Sequence, residues 1–365
     1  MYNILKYMNL LNQSLHRIRG GCIPLGWLLF ASLVGCGPAF QNELYEADEA
    51  FRQALPRKEQ LELAYEGSSS TQTTQHVDAQ RSSRERVEGC PFASLGARRT
   101  PENASDPALS CTPNAYQNLT EQVVWSVNVT LDELLSLLDR MRSAPPSART
   151  ALSRQWGPYV VGEDANVYLM LEMVYDEPLY QYELWVGSSP DYLPDLAMKG
   201  HYLYLISPDE GSGAFWFDAD VRQKYFPEST AGGLYGAEYT LTPELRQVVV
   251  EGNGLTDASH SIPTDQVVAY ELSPSDGGRF YFDRPYDLND NDGQVERISI
   301  WTLWDGSGQG RADGSYYFES PREPLQAGTE CWDASYTTTY YQYYCGEGGD
   351  PSLCIEDAIG WNETP

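Results

Sequence analysis

The chain has 365 residues, with 52 Asp and Glu against 24 Lys and Arg, giving a formal net charge of −28. A surface this acidic repels phosphate backbones and anionic headgroups, which argues against nucleic acid as a partner and in favour of solubility or cations. The length is enough for one large core or two modest ones.

The first thirty-five residues carry Lys6, Arg17 and Arg19 and no acidic group. An apolar run then extends from Cys22 to Val34, broken by Pro24, Gly26 and Ser32. A basic stretch followed by a short apolar one is a secretory signal, and the run is shorter than the ~20 residues a spanning helix needs. Leu33-Val34-Gly35-Cys36 resembles the lipobox of bacterial lipoproteins. That resemblance implies removal of residues 1–35, acylation of Cys36, and a membrane partner held through the N-terminal lipid. Gly37, where Asp would signal retention, implies the outer rather than the inner membrane of the cell envelope. Loss of the leader's three basic residues leaves 21 basic against 52 acidic groups, a net −31.

Beyond Cys36 the cysteines are Cys90, Cys111, Cys331, Cys345 and Cys354. Export predicts disulfides, and five thiols leave one over. Spacing favours Cys90 with Cys111, and Cys331 with either Cys345 or Cys354. No CxxC occurs and no histidine lies near these cysteines, so zinc ligation is not expected.

Residues 36–119 read as an N-terminal tether. It contains a short acidic helix (Glu43, Glu46, Asp48 and Glu49 around Leu44, Ala47 and Phe51) stopped by Pro56. A stretch rich in Ser, Thr, Gln, Pro and Arg follows, too poor in large apolar groups to fold alone. Residues 120–356 read as a helix plus an antiparallel β domain, and 357–365 as a C-terminal tail. Thr130 and Glu133 match a capping box ahead of the stripe Leu131, Leu134, Leu135, Leu138 and Met141. Val123, Val124 and Val127 extend that helix backwards, and Pro145-Pro146 ends it.

From Val167 the apolar period becomes two. Val167, Leu169, Leu171, Met173 and Tyr175 alternate, as do Tyr180, Tyr182, Leu184 and Val186, and then Met198, Gly200, Tyr202, Tyr204 and Ile206. Phe215 and Phe217, then Ala237, Tyr239 and Leu241, repeat the pattern briefly. Strands also fit 246–251, 266–272, 279–283, 296–304 and 314–319. Turn residues such as Asp276-Gly277-Gly278 separate these strands at short spacing, which indicates an antiparallel meander without βαβ units. About ten strands tend to curl. The expected fold is therefore mainly β with one long α-helix: a curved meander, half-barrel or barrel-like, packed on that helix.

Several motifs resemble a set of uncharacterised envelope lipoproteins of delta-type Gram-negative bacteria. They are Leu131–Arg142, Pro145-Pro146 with Arg149-Thr150, Trp156-Gly157-Pro158-Tyr159, and Gly211–Phe215 before Asp218. Asp305–Asp313, Cys331–Ser335 and the late Cys354 complete the set. The likeness spans residues 120–356 and implies a class and a location but no chemistry.

No motif names a reaction. His76, His201 and His260 lack neighbours at ligand spacing, His201 is expected to be exposed, and HExxH and GxSxG are absent. Gly306–Gly310 reads as a hairpin turn. Asp287, Asn289, Asp290 and Asp292 offer oxygen ligands ahead of Gly293, a weak calcium candidate whose register does not match an EF-hand; a solvated turn explains the same residues. Tyr336, Tyr340, Tyr341, Tyr343 and Tyr344 read as strand filling rather than a glycan platform. The expectation is a non-enzymatic structural or interaction module without a cofactor. The alternative is a carrier of lipid or another apolar ligand in a slot between sheet and helix.

Overall fold

A computed structural model describes residues 38–65, 114–161, 167–207, 210–226, 232–256, 263–285, 296–318, 324–343 and 346–355. Leu44–Ile355 form one unit, and the features below belong to it. The described helices are α1 (Pro38–Gln53), α2 (Lys58–Leu61), α3 (Ala115–Ser143) and α4 (Ala219–Tyr225). The strands are β1 (Ala148–Arg149), β2 (Ser153–Val161), β3 (Val167–Asp176), β4 (Leu179–Gly187), β5 (Asp195–Ser207), β6 (Glu210–Asp218), β7 (Gly232–Leu241) and β8 (Arg246–Thr256). They continue as β9 (Thr264–Ser273), β10 (Gly277–Pro285), β11 (Glu296–Asp305), β12 (Gly310–Phe318), β13 (Pro324–Trp332), β14 (Thr338–Tyr343) and β15 (Gly346–Gly349).

All fifteen strands among the described residues lie in one antiparallel sheet in strict sequence order, so the expected meander is correct and the expected ten strands are too few. β1 and β15 are the two ends of that order and do not pair, so the sheet is open and the closed-barrel form is not adopted. Both end strands are short, which limits the unpaired edge they present. The missed strands are those whose alternation is interrupted. Gly157-Pro158 breaks β2 with a register shift between Trp156 and Tyr159. Pro324, Gly328, Gly346 and Gly348 dilute β13 and β15.

One face of the sheet carries the alternating apolar positions, among them Leu169, Leu171, Met173, Tyr182, Leu184, Phe215 and Phe217, and these join the helices in a single buried cluster. On that face large aromatics sit over glycines of the neighbouring strand. Gly278, Trp304, Gly310 and Trp332 are successive register partners on β10 to β13. A Cβ on Gly278 would lie 2.2 Å from the Trp304 ring, and one on Gly310 2.2 Å from Trp332. Tyr65 meets both indoles edge-on at 5.3 and 6.5 Å, which closes this end of the core.

Helix α3 begins at Ala115, fifteen residues before the expected capping box. Thr130 lies inside the helix and its hydroxyl donates to the Ser126 carbonyl, the back-bond typical of mid-helix threonine. The stripe itself is as expected: Leu131, Leu134, Leu135, Leu138 and Met141 are all buried. The helix N-terminus is fixed by the sheet instead of by its own sequence. Tyr116 lies against the inner face where Gly314 and Gly328 leave room, each ideal Cβ falling 2.7 Å from the tyrosine. The Tyr116 N–H donates to Glu330 Oε2 at 2.8 Å, and Thr120 bonds Thr302 at 3.0 Å.

Within residues 36–119, where a tether with a short helix is expected, the described stretch up to Tyr65 contributes to the core. Phe51, Leu55, Leu61, Leu63 and Tyr65 are buried, because Pro56 turns the chain back along α3. Asn128 on α3 donates to the Leu63 carbonyl and accepts from its N–H, both at 2.8 Å. Tyr270 does the same for Ala64 at 2.9 and 3.1 Å. Side chains thus satisfy a backbone stretch that lacks a strand partner. Asp48 accepts from Arg149 at 2.9 Å and from Arg154, whose side chain is fully buried, tying α1 to β1 and β2.

Candidate functional site

The outer face of the sheet, opposite the core, carries the chemistry. The same period of two that buries Ile298, Ile300 and Trp304 places Arg297, Ser299 and Trp301 on the opposite face, where Arg297 and Trp301 are part-exposed and Ser299 is covered by its neighbours. Register then aligns Trp301 with Asp313, Thr329 and Gln342 across β11 to β14. The adjacent row is Ser299, Ser315 and Ala327, all small, so the sheet surface is recessed there. The result is an open groove of about 540 Å³ with Trp301 at one end, Gln342 at the other, and the backbone of Gly314 and Gly328 in its floor.

Each wall has a defined state. Tyr281 on β10 packs against Trp301 with centroids 4.8 Å apart and planes tilted by 35°, and Trp301 lines the groove. Asp313 is held by both guanidinium arms of Arg311 at 2.8 and 2.9 Å and accepts from Thr329 at 2.6 Å. Gln342 accepts from the Tyr340 hydroxyl at 3.2 Å, and its side chain is exposed. Ser299 and Ser315 share a hydrogen bond of 2.9 Å. Beside the groove, buried Asp283 accepts from Arg297 at 2.6 Å and from Tyr317, which anchors that margin.

A second outward patch lies on β3 to β8. His201 packs 6.1 Å from Trp216 and is half-buried, so the exposed histidine expected from sequence is corrected. Burial holds its imidazole below the usual range. Glu172 and Glu183 are direct cross-strand partners. Burial, then the Glu172 charge, raises the Glu183 carboxyl; burial, then Glu251, raises Glu238. Like charges placed opposite each other are destabilising.

Half-buried Glu121 on α3 is pushed up to about 7 by burial alone. A folded-state value above the unfolded one means stability is full below about 4.5 and is lost as pH rises towards 7. Glu121→Gln is therefore expected to match the wild-type melting temperature near pH 4 and to exceed it above pH 7. A constant offset at all pH values would show that Glu121 does not titrate in this window.

Cys331 meets Cys354 in disulfide geometry with Cα atoms 5.4 Å apart, which selects Cys354 over Cys345 as the partner. The lipidation residue Cys36, the pair Cys90 and Cys111, and the calcium candidates Asp287, Asn289, Asp290 and Asp292 lie outside the described residues. Among the described residues no group of three or more His, Cys, Asp or Glu is placed to hold a metal, and no helix is long and apolar enough to cross a membrane. The Gly306–Gly310 stretch is the expected hairpin turn: Asp305 Oδ1 accepts from the Ser307 N–H and hydroxyl and from the Gln309 N–H. Asp333 repeats this with Ser335 and Thr337. Tyr340 and Tyr343 of the C-terminal cluster are buried.

Sequence reasoning passed over Trp301, although its parity against Ile298 and Ile300 marks it as the outward aromatic. Glu330 gave no such signal, since its partner Tyr116 lies 214 positions away. No family model, no curated protein and no solved structure matches the chain.

Proposed function

We propose that this chain is a lipid-anchored envelope lipoprotein. Its sheet, curled as a half-barrel over α3, serves as a non-enzymatic structural or interaction module. The observation that carries the module reading is the solvent-open groove on β11 to β14, set on a rigid sheet above a filled core. Its one carboxylate, Asp313, is committed to Arg311 and Thr329, which suits recognition better than proton transfer. The leader pattern and Leu33-Val34-Gly35-Cys36 support the anchor. The carrier alternative has less support, because Leu131, Leu134, Leu135 and Leu138 are at most 4% exposed and themselves fill the seam that a ligand would need.

Growing cells with an alkyne fatty acid tests the anchor: wild type is expected to take up label and Cys36→Ala to lose it. Label retained by the variant, or absent from wild type, overturns the anchor. A photo-crosslinking amino acid at exposed Gln342 tests the contact surface in the same cells. It is expected to give a discrete adduct that the same group at Tyr192, outside the groove, does not. Identical patterns at both positions would remove the groove from the proposal.

A further inference from the structure

The groove offers a specific mixture of donors, acceptors and an aromatic face, and that mixture narrows its ligand. We propose that it binds a short stretch of neutral or N-acetylated saccharide, with one sugar ring against Trp301 and hydroxyls bonded by Asp313, Thr329, Ser315 and Gln342. This deepens the proposed function and rests on the module reading.

Three features carry the inference. The first is the aromatic wall. Tyr281 packs against the Trp301 indole, and Trp301 lines the groove beside it. A braced aromatic supplies flat apolar area at little entropic cost, and the C–H face of a pyranose is the flat, weakly apolar partner that such a ring accommodates. The second is the hydrogen-bonding inventory. An ionised carboxylate has about four acceptor positions, and Asp313 has three bonds drawn to it, leaving capacity for one more. Gln342 accepts from Tyr340 through its carbonyl, and its amide adds two N–H donors at an exposed position. The Thr329 hydroxyl stands between them on β13, and the Ser315 hydroxyl lies two residues along β12 from Asp313. Carboxylate, hydroxyl and amide follow one another at the ~4.8 Å strand spacing, and sugar hydroxyls, which both donate and accept, fit that mixture.

The third feature is what the floor lacks. β12 and β13 are paired on both sides, so no free backbone edge is offered and an extended peptide cannot add as a strand. Charge disfavours the acidic saccharides: Asp313 is the one carboxylate lining the groove, no Lys or Arg lines it, and the chain has a net charge of −28. The small row Ser299, Ser315 and Ala327 supplies the depth that a flat sheet face would not have.

The test titrates the full chain with cellotetraose, chitotetraose and an oligogalacturonate, following heat and tryptophan fluorescence. One or both of the first two are expected to bind, and the galacturonate is not. Trp301→Ala is expected to weaken that binding about tenfold or more with an unchanged melting temperature. If Trp301→Ala lowers the melting temperature, Gln342→Ala, at an exposed position, carries the same test through a smaller loss. Absence of binding to both neutral probes overturns the saccharide proposal, as does binding that neither variant weakens or that the galacturonate equals. The module reading stands or falls separately, on the adduct at Gln342.

Discussion

Asp48→Ala is expected to destabilise the folded chain by about 3–5 kcal/mol, the usual consequence of removing one partner from a buried ion pair. Asp48 has a side chain 5% exposed and neutralises two guanidinium groups, Arg154 with no exposure and Arg149 with 19%. Arg154 also donates to the Thr150 and Ser153 carbonyls at 2.6 and 2.8 Å and lies 4.6 Å above the Phe51 ring. It cannot swing into water without breaking the β1–β2 corner. Removal of the carboxylate therefore strands a cation in a poorly hydrated site. Asp48→Asn keeps the shape and one acceptor but leaves the charge uncompensated, so it is expected to recover only a minor part of the loss. Asp48→Leu combined with Arg154→Met is expected to be milder than Asp48→Ala, since no unpaired charge remains at Arg154. Urea denaturation of the three variants decides it. A loss under about 1 kcal/mol for Asp48→Ala, or a double variant worse than the single, would falsify the account.

Which features were legible in the sequence follows from the range of the signals. Alternation of apolar residues is local, and it located β3 to within its bounds, because Leu169, Leu171 and Met173 are uninterrupted. It failed at β13 and β15, where Gly328 under Tyr116 and Gly348 under Tyr341 replace large side chains and remove the very pattern that reports a strand. The capping box at Thr130 was a false start for the same kind of reason: a local match competed with a terminus fixed from elsewhere. Trp301 was available from parity, but its groove was not. The recess depends on Ser299, Ser315 and Ala327 being register partners, and register is a property of the folded sheet. The Asp48 clamp spans 106 positions and is equally silent in the sequence.

The same distinction governs Glu330, whose replacement by alanine is expected to cost about 3 kcal/mol or more. Asn114, the residue before α3, gives the helix no side-chain cap. Glu330, on β13 and without solvent exposure, accepts from the Tyr116 N–H at 2.8 Å and from the Tyr343 hydroxyl at 2.8 Å. Thr338 donates to its other oxygen at 3.3 Å. Loss of a cap costs ~1 kcal/mol, and each buried donor left unpaired costs a further ~1–3 kcal/mol. Burial raises the Glu330 carboxyl above its ordinary value, and the bonds from Tyr343, Tyr116 and the neighbouring backbone only partly oppose this. Its contribution is thus full below about pH 4.5, where the carboxyl is protonated in both states, and is lost as pH rises through the folded value. Glu330→Gln keeps an acceptor for the Tyr116 N–H and removes the charge. It is expected to be less stable than wild type near pH 4, where the acid makes the same bonds with better geometry. That deficit should shrink as pH rises and wild type carries the burden of a buried charge. Thermal melts of wild type and the Gln variant between pH 4 and 8 check the sign. Parallel profiles would mean that the carboxyl keeps one protonation state across that range, and a deficit growing with pH would mean that ionised Glu330 strengthens the cap by more than its burial costs.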